Sequence, residues 1–322
     1  MKNIVDKKIL NSLLTSYWLR PETALWYSVM LSQAKNFGVD NLEEKVSLDF
    51  GCMDGINSYI LLDGNIPLEF DAFYGMEGDS SIQTKTTLQD DYYDQVNLNE
   101  LRFSGNIPHK NFTYGIDWKK THIERAKLLR AHKNLILWDE GSSLPIRNFQ
   151  LDLIWAPNIY WMDNLNGLLS EFNRIIKPGG TLITIVPDIM LLNYLIMNHE
   201  DQFNKSWLSM YDRGRFEMTK KSARSKNEWD FFFENNGYLI YKCEGFISSR
   251  LIVAYEIGFR PMFSPLLNMR SLLANAGQEK LIEVKKYWLH ALQDILNPLV
   301  ECNYFTPAED KSLWHMYMLV KK

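Results

Sequence analysis

Cysteine is scarce in this 322-residue chain, with three copies (Cys52, Cys243 and Cys302), no CxxC pair and no histidine at ligand spacing. That excludes a disulfide framework and gives no support to a zinc site. Glycine (17) and proline (11) are too few for a repetitive or low-complexity chain, and no internal repeat is found. No run approaches the ~20 apolar residues of a membrane span, and the opening MKNIVDKKIL lacks the apolar core of a secretory signal. The expectation is a cytoplasmic protein. An excess of either charge is also missing: 35 basic against 39 acidic residues leave a formal charge of -4. Nothing here draws the whole molecule onto nucleic acid or an anionic membrane.

What is present is ordinary globular material, 46% hydrophobic and 23% charged, with a generous 13% aromatic. Aromatics at this level fill cores and, in part, line pockets. Residues 1–40 read as two helices. The first carries Leu10, Leu13 and Leu14, and the second starts at Pro21 and leaves through Gly38. Val46–Phe50 reads as a strand running into a glycine turn, Gly51-Cys52-Met53-Asp54-Gly55. Residues 64–110, rich in Asp, Asn, Gly and Gln, read as an insertion serving packing or association more than catalysis.

Further short apolar runs follow at 112–117, 135–138, 151–155 and 181–186, separated by helical stretches at 119–131 and 165–176. The last of these helices stops at Lys177-Pro178-Gly179-Gly180. Flat apolar strands alternating with helices imply right-handed crossovers and a parallel, doubly wound sheet, a Rossmann-like α/β core. The core is expected over 41–190, 225–246 and 313–322. A capping box at Ser225-x-x-Glu228 and a strand from Tyr238 to Cys243 belong to it, with a final strand at 314–320. Residues 191–224 and 247–312, mainly helical, are expected to form a lid over the substrate region.

Three strand ends carry acids: Asp49 in Asp49-x-Gly51-x-x-x-Gly55, then Asp117, then Asp139. Ligands of doubly wound sheets bind at these carboxyl ends. The glycine spacing is not GxGxxG, and Asp49 opposes a phosphate, which disfavours a dinucleotide. In series, VSLDFGCMDG, YGIDW, LWDEGSSLPI, LDLIWAPNIYW and RIIKPGGTLITIVP resemble the motifs of class I S-adenosylmethionine-dependent methyltransferases, over roughly 46–62 and 112–190. YWLRPETALW, DRGRFE and IGFRP add a likeness to a bacterial subgroup. In one respect the chain departs from the family: Met53 stands at the middle glycine of the turn.

The resemblance implies a seven-stranded sheet whose last strand is antiparallel, S-adenosylmethionine as cofactor, and S-adenosylhomocysteine as product. Asp49 and the Gly51-Cys52 backbone would face the methionine end. Asp117 would take the ribose hydroxyls with Trp118 on the adenine. Asp139, with the Glu140 backbone nearby, would accept from the adenine amino group, and Ala156 would offer its carbonyl to the ammonium. Tyr17 and Arg20 either pin the N-terminal helices or cover the cofactor, with Arg20 on its carboxylate.

Candidates for chemistry on the acceptor are Tyr160, beside Trp161 in Asn158–Trp161, then His315 at the last strand and His199. Asp212 lies in Asp212-Arg213-Gly214-Arg215, either a salt-bridged turn or a substrate clamp. Arg260-Pro261 carries the same pair of readings. The expected acceptor is a small molecule such as a sugar, a glycolipid precursor or a secondary metabolite. The competing readings are a catalytically weak methyltransferase-like scaffold and an RNA methyltransferase using Lys220, Lys221, Arg224 and Lys226. No metal is required.

Overall fold

A computed structural model describes residues 5–74, 103–202, 212, 215–304 and 312–322. Helix α1 (Lys7–Ser16) is capped by the Asp6 carboxylate, which accepts from the Lys8 N–H at 2.8 Å. It buries Ile9, Leu10, Leu13 and Leu14, the three-and-four spacing visible in the sequence. Helix α2 (Pro21–Asn36) begins on proline and leaves through Gly38 at φ +74°. The sheet contains β1 (Ser47–Phe50), β2 (Phe112–Asp117), β3 (His132–Leu137), β4 (Leu151–Ala156), β5 (Ile176–Pro187), β6 (Tyr238–Ile247) and β7 (Trp314–Lys321). Their order is β3-β2-β1-β4-β5-β7-β6. The first five are parallel, and β7 runs antiparallel to both β5 and β6. Around them lie α3 (Ile56–Leu61), α4 (Lys120–Leu129) and α5 (Leu165–Ile175). α6 (Arg215–Ser222), α7 (Lys226–Asn235), α8 (Ser249–Val253), α9 (Phe263–Asn275) and α10 (Gln278–Tyr304) complete the helices.

Central β1 is buried at all four residues, as a strand covered on both faces must be. The Ser225/Glu228 capping box is present in full at the start of α7. Three strands differ from their sequence readings. β3 starts at His132, not Leu135, because His132 pairs with Phe112 and is held by Asp49, while exposed Lys133 and Asn134 give this edge strand a polar opening. β5 absorbs the Lys177–Gly180 segment: Gly179 takes φ +75° and a register shift opposite Leu151–Leu153 keeps the strand paired. β6 continues to Ile247, since β7 pairs with it over its whole length.

The insertion expected over 64–110 is described only at its two ends. Its first part packs against the last helices. Asp71 accepts from the Trp18 indole at 3.1 Å and from Arg270 Nε and Nη2 at 3.0 and 2.9 Å. Lys285 donates to the carbonyls of Leu68 and Phe70 at 2.9 and 2.6 Å. Burial pushes the Lys285 ammonium down to about 8, against the pull of Asp71 and Glu69.

An unfolded lysine titrates near 10.4. Between about 8 and about 10.4 the folded chain therefore binds fewer protons at this site, and the cost of burying its charge, full below 8, is relieved as pH rises. Urea unfolding of wild type and Lys285→Met across this range should show the difference moving toward wild type, by up to about 1.4 kcal/mol per pH unit. A flat difference would remove Lys285 as the titrating group.

Candidate functional site

Where β1 ends, the chain turns back on β2. Gly51, Met53 and Gly55 take φ +72°, +50° and +79°, three left-handed residues in five. The Gly51 and Cys52 N–H groups donate to the Ile116 carbonyl at 2.8 and 2.9 Å, and the Met53 N–H to Asp117 Oδ2 at 3.0 Å. Asp117, fully buried, also accepts from the Lys119 N–H at 2.9 Å and meets His122 Nδ1 at 3.1 Å. Its carboxylate is thus pinned between the turn and the first helical turn of α4. Asp49 accepts from Ser58 Oγ and meets His132 Nε2 at 2.7 Å.

The field at this turn is acidic. Burial pushes the Cys52 thiol well up, and Asp49, Asp117 and Asp54 add to the shift in that order. A small hollow beside the turn is lined by Asp49, Gly51, Cys52, Asn57 and Asn158, and the buried Asn57 Oδ1 has no hydrogen-bond donor there. The half-buried Trp118 ring and the Asn158 amide stand within van der Waals reach of the open side of Gly51.

Above the turn lies a cavity of about 290 Å³. Its floor is Met53, Asp54 and His122, its side wall Thr23, Trp26 and Tyr27, and its roof comes from the segments on either side of β6. In the roof, Glu256 is fully buried in a π-helical turn (Ala254–Phe259), a geometry that often marks a functional position. Glu256 Oε1 accepts from Arg215 Nη2 and, at 3.5 Å, from Arg260 Nη1. One carboxylate therefore joins the segments that precede and follow β6. Burial presses the Arg215 guanidinium down, but Glu256 and Tyr255 outweigh it and the net shift is upward. Asp54 is held by Arg125 at 3.5 Å. Burial, then Tyr27, pushes the Tyr160 phenol well up, so it stays protonated.

Of the candidates read from sequence, Tyr17, Arg20 and Tyr160 line this cavity. Arg20 Nε donates to buried Glu22 at 2.8 Å. Gly51, Cys52 and Asp49 line the small hollow instead, and Asp117 sits behind His122 and Met53. The Ala156 carbonyl is engaged by Thr184 Oγ1 at 2.7 Å. Asp139 and Glu140 are exposed and border neither space. Asp212 accepts from the Phe216 N–H at 2.9 Å and stands 4.0 Å from Arg215 Nε, the salt-bridged alternative of its two readings. Arg213 and Gly214 lie outside the described residues.

His315 pairs with Asp188 at 3.0 Å, and strand alternation gives the cavity its neighbour Trp314. His199 is exposed. Sequence reasoning did not single out His122, Glu256 or Trp314. The first stood five residues past a flagged acid, the second four residues before the flagged Arg260-Pro261.

Among the described residues, no group of His, Cys, Asp and Glu is arranged to hold a metal ion, and no helix is long and apolar enough to cross a membrane.

Residues 97–184 match the family model of a methyltransferase domain. Comparison with curated proteins finds no match. Among solved structures the chain is similar to an S-adenosylmethionine-dependent methyltransferase from Geobacter sulfurreducens in complex with S-adenosylhomocysteine (13% identity, 89% of this chain and 90% of that one, TM-score 0.44). It is also similar to one from Thiobacillus denitrificans in complex with the same ligand (12%, 85% and 82%, TM-score 0.38). Both are likenesses of general architecture. The chain thus matches a methyltransferase domain over residues 97–184 and carries a Rossmann-like sheet ordered β3-β2-β1-β4-β5-β7-β6 with β7 antiparallel.

Proposed function

We propose that the chain transfers a methyl group from S-adenosylmethionine to a small-molecule acceptor enclosed in the 290 Å³ cavity. The observation that carries this reading is the acidic glycine turn with its unpartnered acceptor, Asn57 Oδ1, in a small hollow that shares Tyr27, Met53 and Asn158 with the walled cavity. That donor set fits the cofactor's methionine end, which brings an ammonium and a sulfonium, and it repels phosphate. When bound, S-adenosylmethionine supplies a methyl group on a positively charged sulfur. Asn57, Asp49 and the Gly51-Cys52 segment would hold its amino-acid end, and Arg20 its carboxylate.

The lid excludes water, while the aromatic wall fixes the acceptor and so supplies positioning, which accounts for much of the rate in a displacement. His122, oriented by Asp117, is the imidazole on the cavity floor and is placed to take a proton from the acceptor. A small acceptor is favoured over RNA because two of the four residues of the basic patch, Arg224 and Lys226, are committed within the fold. Arg224 stacks on Trp229 and Phe232 at 4.5 and 5.0 Å, and Lys226 pairs with Asp230 at 2.6 Å.

Calorimetric titration of wild type and Asn57→Leu with S-adenosylmethionine and S-adenosylhomocysteine tests the cofactor site. Wild type should bind both. Removing an acceptor for an ammonium is expected to weaken binding about 10- to 100-fold. Because Asn57 Oδ1 is a buried acceptor with no donor, the variant should melt no lower than wild type. Binding of neither ligand by wild type would remove the enzymatic reading in favour of a scaffold.

A further inference from the structure

His132 opens β3 with its side chain fully enclosed, and it lines neither the cavity nor the small hollow beside the turn. Its Nε2 meets Asp49 Oδ2 at 2.7 Å, while its Nδ1 is buried with no hydrogen-bond partner. A carboxylate only accepts, so Nε2 carries the proton of that contact. Asp49 is thus the ring's single polar partner among the described residues. Packing alone does not call for a histidine here. The ring stacks on Phe112 with centroids 5.9 Å apart, a contact that an apolar side chain would make without leaving a buried nitrogen unpartnered.

The sheet is shaped for this reach. β2 lies between β3 and β1, and its Gly115 is the register partner of Asp49. A Cβ on Gly115 would fall 2.6 and 2.8 Å from His132 Cδ2 and Cγ. The missing side chain leaves the seat in which the imidazole crosses β2 to the central strand. From α3, Ser58 Oγ donates to the same oxygen of Asp49. Both bonds therefore fall on Oδ2, while Oδ1 takes none among the described residues and is not sealed from solvent. Asp49 borders the hollow that also holds Asn57, where the methionine end of the donor is placed.

We propose that His132 is a positioning residue of the methyl-donor site: seated over Gly115, it fixes Asp49 Oδ2 together with Ser58 and so presents Oδ1 to the donor's ammonium. This assignment rests on the methyl-donor reading above. A carboxylate held by two donors keeps one orientation, and a charge-assisted bond to an ammonium gains from that fixed geometry. No atom of His132 touches the donor, and its whole effect passes through Asp49.

The probes are S-adenosylhomocysteine and 5′-methylthioadenosine, which share adenosine and sulfur and differ by the amino-acid end. Both are titrated into full-length wild type, His132→Leu, His132→Gln and Ser58→Ala. His132→Leu removes the donor and should bind S-adenosylhomocysteine about tenfold more weakly, while 5′-methylthioadenosine affinity moves less than about twofold. His132→Gln brings an amide N–H to the same oxygen and should stay within about threefold of wild type for both ligands. Ser58→Ala withdraws the other donor and should share the selectivity of His132→Leu. It carries the test if the leucine variant fails to fold, which melting reports. Equal weakening of both ligands makes His132 part of the frame alone and overturns the proposal. So does a glutamine variant as weak as the leucine one, or S-adenosylhomocysteine affinity indifferent to His132→Leu and Ser58→Ala. The methyl-donor reading survives each of these results, whereas wild type that does not bind S-adenosylhomocysteine removes that reading and the proposal with it.

Discussion

Arg270→Met is expected to cost about 3–5 kcal/mol of unfolding free energy, the usual loss when one partner of a buried ion pair is removed and the other is left in place. The pair is unusually enclosed: the Arg270 and Asp71 side chains are each 6% exposed and are joined by two bonds of 2.9 and 3.0 Å. Asp71 keeps the Trp18 indole and the Phe73 N–H after the substitution, which satisfies its lone pairs but not its charge. Lys285 lies close enough to feel that charge, so part of the loss is offset by a more readily protonated ammonium.

The check is urea unfolding of Arg270→Met, Asp71→Asn and the double variant. A neutral pair should recover a substantial part of the loss, as coupling between touching residues requires. Losses that simply add would show that the pair is not coupled. Because Asp71 ties residues 66–74 to α9, while α10 also grips Leu68 and Phe70, hydrogen exchange in that segment should rise first.

That network explains why part of the fold was legible and part was not. β1, β2 and β4 announce themselves as short flat apolar runs, and α7 by its capping box, because in each case the deciding physics is local. β3 hides its start: an edge strand tolerates polar residues at Lys133 and Asn134, and the force that pairs His132 comes from Asp49, 83 positions away. The segment at 66–74 has no period to read, since its partners Arg270 and Lys285 arrive from the other end of the chain.

The site divides in the same way. Tyr17, Arg20 and Tyr160 stand next to motifs, and all three line the cavity. His315 turns to Asp188, and in a strand a single step moves a side chain to the opposite face, so that its neighbour Trp314 lines the cavity. Glu256 reaches the roof on a π-helical turn, which no hydrophobic periodicity encodes. Asp117 was correctly seen as an acid at a strand end. That its carboxylate would be shared by Met53, Lys119 and His122 depends on the left-handed turn at Met53.

This arrangement leads to the second large effect. His122→Asn is expected to lower methyl transfer to a hydroxyl acceptor by about 10²–10⁴, the usual contribution of a positioned base, and to leave S-adenosylhomocysteine affinity nearly unchanged. Asparagine suits the test because its amide can still donate to Asp117 Oδ1 in place of His122 Nδ1, so the buried carboxylate is not abandoned, while no basic nitrogen remains. Asp117 itself cannot shift to compensate, being fixed by the N–H groups of Met53 and Lys119 at 3.0 and 2.9 Å. The readout is single-turnover formation of S-adenosylhomocysteine from S-adenosylmethionine and a hydroxyl acceptor, set beside calorimetric binding of the product. A drop in rate with binding preserved makes His122 the proton acceptor. An unchanged rate would place the base elsewhere in the cavity, and a parallel loss of binding and rate would make His122 a positioning residue of the glycine turn, acting through Asp117 and Met53.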